Sequence, residues 1–123
     1  MIIAAVIDEN ENILPIVDGT IIRLYNTDTK QYRDYENPAL HLEEGRRGAA
    51  LKFAQEKGAV AFVAPPQTFC ELSYAKARKD EIQFYHIDKQ IRFREFQELV
   101  ENNDLQIKTE LPDKDIAPSS IPN

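Results

Sequence analysis

The sequence predicts an α/β domain on a mixed sheet, with antiparallel strands on one side of the first strand and parallel strands on the other. Three observations lead there. A continuous apolar run, Ile2–Ile7, ends at Asp8, the pattern of a central strand buried on both faces. Residues 13–36 break into short β-rich pieces separated by turn residues, which reads as a meander. From residue 45 onward helical and strand periods alternate, and strand–helix–strand units require parallel strands joined by right-handed crossovers.

The elements follow in order. Glu9–Asn12 is a polar turn, and Leu14–Val17 is read as a short strand closed by Asp18-Gly19. Thr20–Asn26 is β-rich, Thr27–Lys30 is a turn, and Gln31–Glu36 is the next strand. Ala50, Phe53 and Ala54 fall at helical spacing, Lys57 closes the last turn, and Gly58 fits the position after the helix. Ala59–Ala64 is a second buried strand, stopped by Pro65-Pro66. Thr68-Phe69-Cys70-Glu71 matches a capping box with Thr68 as N-cap, opening a helix that runs to about Lys79. Ile82–His86 is a third buried strand. A last helix after Asp88 carries Phe93, Phe96, Leu99 and Val100 on one face and stops at Asn102-Asn103. Leu105, Ile107, Thr109 and Leu111 alternate, which permits one extra edge strand. Residues 1–103 are thus read as a single α/β domain and residues 104–123, with three prolines in the last twelve positions, as a partly flexible extension.

The 123 residues suffice for one domain with its own core. A net charge of −6 argues against general nucleic-acid binding, which wants a basic face. The one basic cluster, Lys76 to Lys79, lies late in a helix, where it complements the dipole. A single cysteine forms no internal disulfide and suits a reducing compartment. No apolar run approaches the roughly 20 residues that span a bilayer. The expected location is cytoplasmic, with no membrane partner.

Parallel strands place their reactive neighbours at one edge. Asp8 ends the first strand, His41 lies in the connection after the meander, Cys70 opens a helix, and His86 ends the third buried strand. Both histidines and the only cysteine would then share one rim, at the carboxyl ends where α/β sheets form sites. Imidazole and thiolate suit zinc, copper or iron–sulfur species. Each has a structural alternative: His41 as a loop residue bonded to backbone, Cys70 as a small half-buried residue, His86 as structural and Asp8 as a turn residue. Arg46 and Arg47 sit where cations oppose the helix dipole, so they face an anionic partner or pair with Glu43 and Glu44. With Gly45, Gly48 and free backbone N–H groups, this turn can hold an anion. There is no P-loop, no G-x-G-x-x-G, no G-x-S-x-G elbow and no convergent carboxylate set, so an enzyme is not expected.

One stretch carries a resemblance. "ENPALHLEEGRRGAALKFAQEKGAVAFVA", residues 36–64, has an Asn-Pro, a histidine, a glycine-punctuated turn and a Lys-Gly before a buried strand. With the strand from Met1 and the meander, it resembles the nitrogenase iron–molybdenum cofactor biosynthesis family, the NifX, NafY and NifB C-terminal group with its orange-protein relatives. The likeness covers roughly residues 1–88. It departs at "PIVDGTII", where relatives carry His-Phe-Gly, and at Pro65-Pro66-Gln67-Thr68, where they are Gly-rich.

The resemblance implies a ribonuclease-H-like mixed five-stranded sheet flanked by helices. It implies a carrier for an iron–sulfur or molybdenum–iron–sulfur cluster or its precursor, exchanged with a donor or acceptor protein. His41 stands at the family's histidine position, and Gly45 and Gly48 stand in its Gly-rich turn. Taken with the shared rim, which adds Cys70, and the charge at the helix start, which adds Arg46 and Arg47, the candidate metal ligands are His41 and Cys70 and the candidate cofactor-binding set is His41, Gly45, Arg46, Arg47 and Gly48. A cofactor-free interaction or regulatory module on the same fold is the alternative.

Overall fold

In the computed structural model, which describes residues 1–119, β1 (Ile2–Ile7) lies at the centre of five strands. β2 (Ile21–Asn26) and β3 (Tyr32–Glu36) follow as an antiparallel hairpin, with β2 also antiparallel to β1. A 3-10 turn (Pro38–His41) leads to α1 (Arg46–Glu56). β4 (Ala59–Ala64), α2 (Glu71–Lys79), β5 (Gln83–His86) and α3 (Phe93–Glu101) complete the order. β4 and β5 run parallel to β1, giving the sheet order β3-β2-β1-β4-β5. The mixed five-stranded sheet with antiparallel strands on one side of β1 and parallel strands on the other is the expected architecture.

Strand alternation divides the core. Ala4 and Val6 of β1, Phe62 and Ala64 of β4 and Phe84 of β5 share a cluster with Ala50, Leu51 and Ala54 of α1 and Ala77 of α2. Ile3, Ala5 and Ile7 share the other with Tyr25, Val63, Tyr85 and the α3 residues Phe93 and Phe96. Two helices therefore cover one face and α3 the other. The rings of Phe62, Phe69 and Phe84 run in edge-on steps of 5.4 and 5.5 Å, a geometry worth about 0.5–1.5 kcal/mol per pair beyond burial. Gly58 takes φ +92° after α1, the left-handed position that glycine fills at a helix end.

Three local expectations need correction. Leu14–Val17 is not a strand: Ile13 makes an isolated bridge to Ile7 and the chain then turns at residues 16–18. Pro15 offers no N–H for a ladder there. The N-cap of α2 is Cys70, not Thr68; the Thr68 hydroxyl instead accepts from the Ile16 N–H at 3.0 Å, a contact across 52 residues. The alternating stretch after α3 forms one antiparallel bridge, Lys108 to Phe84, rather than a strand.

Arg23 was not singled out by its sequence, yet it is 3% exposed in the middle of β2. Its guanidinium holds Asp34 by two bonds of 2.7 and 2.8 Å, reaches Glu11 at 2.6 Å and lies 3.7 Å from the Tyr32 ring centroid. This fork ties the hairpin to the turn after β1.

The segment after α3 turns back across the domain. Beyond Lys108, Leu111 is buried with its N–H on the Tyr74 hydroxyl at 2.9 Å, and Asp115 and Ala117 are buried against the entrance to α2. The extension read from sequence reaches residue 123, and residues 120–123 lie outside the described residues.

Candidate functional site

Three loops are tied together at the carboxyl ends of the parallel strands. Asn37 is fully buried; its amide donates to the carbonyls of Ile16 and Gly19 at 2.8 and 2.9 Å, and its oxygen accepts from Ala39 N. The Asn of the Asn-Pro pair is therefore a staple between the residue 14–19 loop and the 3-10 turn. Arg46 repeats the tie from α1: its Nε donates to Ala39 O at 2.9 Å and its Nη2 to Val17 O at 3.1 Å. Thr68 joins the third loop through Ile16. Gly19 admits these contacts because a Cβ there would stand 2.4 Å from Val6 Cγ1.

These ties leave a cleft of about 420 Å³ where the first turns of α1 and α2 converge. Gly45, Arg46, Arg47 and Gly48 line it at the start of α1, Cys70, Leu72, Ser73 and Lys76 at the start of α2, and Val17 and Glu43 from the loops before α1. Four of the five expected cofactor-binding residues and the expected cysteine thus meet at one place. Lys76, which the sequence offers only as a dipole partner, joins them; Cys70, Ser73 and Lys76 are spaced by three and share a helix face.

Three cations, Arg46, Arg47 and Lys76, stand against one carboxylate, Glu43, in the lining, so the electrostatics favour an anion. α1 begins at Gly45 with φ 65°, no side-chain cap bond and no acidic residue in its first turn. Its macrodipole adds partial positive charge to two arginines. Among the described residues neither arginine pairs with Glu43 or Glu44. Arg46 spends its N–H groups on carbonyls, so it positions loops while keeping its charge. Among the described residues Arg47 donates one bond, from Nη2 to the Gln67 carbonyl, and its buried Nε has no partner. Lys76 is shared with Asp80. Among the described residues an added Cβ at Gly48 would meet nothing within 4 Å. A glycine inside a helix costs about 0.5–1 kcal/mol relative to alanine, and no packing here requires one; it leaves the cleft open.

Cys70 lies under this cleft, 6% exposed. Burial opposes ionisation of its thiol, but bonds from the Ser73 hydroxyl and N–H, the Ser119 hydroxyl and the Leu72 N–H outweigh it, and the pKa falls below the ordinary thiol value. Its Sγ is 3.3 Å from Ser73 Oγ.

The shared rim does not bring the other candidates to the thiol. His41 is exposed, pairs with Glu36 and lies outside the cleft lining. His86 Nε2 is 2.6 Å from Asp115 Oδ2. Asp8 serves its own turn, accepting from Asn10 N, Asn12 N and Asn12 Nδ2, bonds that lower its pKa. Topology put these residues at one edge, but each side chain found a nearer partner. Among the described residues no group of three or more His, Cys, Asp or Glu is placed to hold a metal ion, and no helix is long and apolar enough to cross a membrane.

No protein-family model matches the sequence. No curated protein matches it significantly. Among solved structures, the apo form of the orange protein from Desulfovibrio gigas is similar, with a TM-score of 0.74 and 11% sequence identity over 86% of this chain and 91% of that one. At that identity the likeness is one of fold: this chain has the orange-protein-like α/β fold.

Proposed function

We propose that this chain is a small carrier that binds a compact anionic metal–sulfur species, an iron–sulfur or molybdenum-containing cluster or its precursor, in the cleft between α1 and α2. The observation that carries this reading is the meeting of Cys70 with the incompletely bonded Arg47 at two converging helix N-termini. One thiol beside three cationic side chains suits a cargo that brings its own sulfide ligands. The protein then supplies counter-charge, hydrogen bonds and one soft contact. The fold shared with the orange protein, whose solved form is described as apo, and the resemblance at residues 36–64 support the same class of cargo. Exchange with a donor or acceptor protein in the cytoplasm, as in nitrogenase cofactor assembly, and the absence of catalysis belong to this proposal.

The metal-contacting residue is Cys70, with Arg47, Gly48 and Lys76 around the anion. His41 is not assigned as a ligand because it lies outside the cleft. Anaerobic reconstitution with iron and sulfide, and separately with tetrathiomolybdate, tests this by absorption spectra and metal counts. Uptake by the unmodified chain, reduced in Cys70→Ala and unchanged in His41→Ala, is expected. Equal uptake by the unmodified chain and Cys70→Ala contradicts it.

A second reading, a cofactor-free interaction module, is favoured by Leu72, 63% exposed at the cleft mouth. Failure of reconstitution in every condition would leave that reading in place.

A further inference from the structure

The first amides of α2 do not face an open cleft. Glu71 N donates to Ala117 O at 3.0 Å, and Leu72 N donates to Ser119 Oγ at 3.0 Å. Ser119 N in turn donates to Glu71 Oε1 at 3.0 Å, so helix and tail cap each other. Cys70 itself forms a parallel bridge with Ala117 of the same run. Upstream, Ala117 N donates to Phe69 O and Gln67 N to Asp115 O. The His86–Asp115 pair clips this run to the end of β5. The tail's oxygens thus occupy donors that an anion at this helix end would otherwise use.

We infer that the segment Pro112–Ser119 is an internal strap that gates Cys70. Closed, it satisfies the α2 amides and pairs alongside Cys70, which is left 6% exposed. Released, it frees the Glu71 and Leu72 N–H groups and the Cys70 thiol together, so the strap and a cleft anion compete for one set of donors. What holds it is limited: a few backbone bonds, the His86–Asp115 clip and the burial of Leu111, Asp115 and Ala117, with Asp113 and Lys114 exposed. Such a segment opens by a local event rather than by global unfolding.

This inference rests on the proposed cleft only for what is guarded; its test uses the unloaded full chain. Cys70 labelling by 5,5′-dithiobis(2-nitrobenzoate) is followed at increasing sub-denaturing urea. A labelling rate that depends on urea far less steeply than global unfolding supports the strap. A slope equal to that of global unfolding overturns it. Asp115→Ala removes the clip and is expected to raise the rate about tenfold, the effect of losing a hydrogen bond to a charged group. Ser119→Ala, which leaves the clip, is expected to raise it severalfold. No rate change in the folded variants, with exchange of the 113–119 amides accelerated, overturns it as well. Faster labelling with no cargo uptake would leave the strap standing and remove the carrier reading; uptake without faster labelling would do the reverse.

Discussion

Arg47 donates from Nη2 to the Gln67 backbone carbonyl at 3.2 Å, and that bond carries its guanidinium from α1 to the loop ahead of α2. The other nitrogen of consequence, Nε, is buried without a partner among the described residues. A buried unpaired donor costs about 1–3 kcal/mol. Arg47→Met, which keeps the stem and deletes the donors, is therefore expected to leave stability unchanged or raise it by about 1 kcal/mol. Tetrathiomolybdate affinity is expected to fall at least about tenfold, as for loss of one charge-assisted bond. Urea unfolding and equilibrium titration check the two halves. A large loss of stability would show that Arg47 is a structural residue.

Gly48 separates cleft from scaffold. Since a Cβ meets nothing within 4 Å, Gly48→Ala is expected to stabilise the chain by about 0.5–1 kcal/mol through helix propensity alone. Gly48→Leu projects a side chain into the same space and is expected to abolish cargo uptake with the fold intact by circular dichroism. Destabilisation by the alanine would mean that the helix backbone here needs glycine for another reason.

Arg23 tests the opposite half of the sheet. Its side chain is buried between Asp34, Glu11 and the rings of Tyr32 and Phe93. Arg23→Ala leaves two carboxylates facing each other without their cation. Because both partners keep contact with solvent, a loss of about 2–4 kcal/mol is expected, toward the lower part of the range for a fully buried pair. Arg23→Lys is expected to recover little, since an ammonium does not reproduce the fork on Asp34. Chemical denaturation with both variants decides this.

Asp8 gives the acid response a sign. The Asn12 side chain, then the Asn12 and Asn10 N–H groups, hold its carboxyl below the ordinary value in the folded state. Its contribution is complete above the unfolded carboxyl value and is lost as pH falls through the lower folded value. Unfolding free energies from about pH 5 down to about pH 2 should therefore fall less steeply in Asp8→Asn than in the unmodified chain. Parallel curves would show that the turn does not sense the charge.

Much of the fold is legible because it rests on one-dimensional patterns. The Ile2–Ile7 run marks a two-sided central strand, Gly58 and Pro65-Pro66 bound β4, and the strand–helix alternation forces β1, β4 and β5 parallel. Even Arg23 had a signal: the turn at Thr27–Lys30 sets a register that places it opposite Asp34. The Arg46-Arg47 anomaly against the helix dipole pointed to the cleft for the same reason, since the mismatch is local. What stayed hidden depends on contacts between distant loops. The Thr68 hydroxyl prefers Ile16 to a cap, so Cys70 becomes the N-cap. His41 and His86 reach the expected edge but turn to Glu36 and Asp115. No sequence pattern records that Ser119 returns to Glu71 and Leu72 at the start of α2.

The most direct measurement is a titration of the ¹⁵N-labelled chain with tetrathiomolybdate under anaerobic conditions, followed by two-dimensional NMR. Shifts centred on the amides of Gly45–Gly48 and Cys70–Ser73, with Glu36 and His41 unmoved, are the expected result. Shifts centred on His41, or none at saturating cargo, contradict the cleft between α1 and α2 as the binding site.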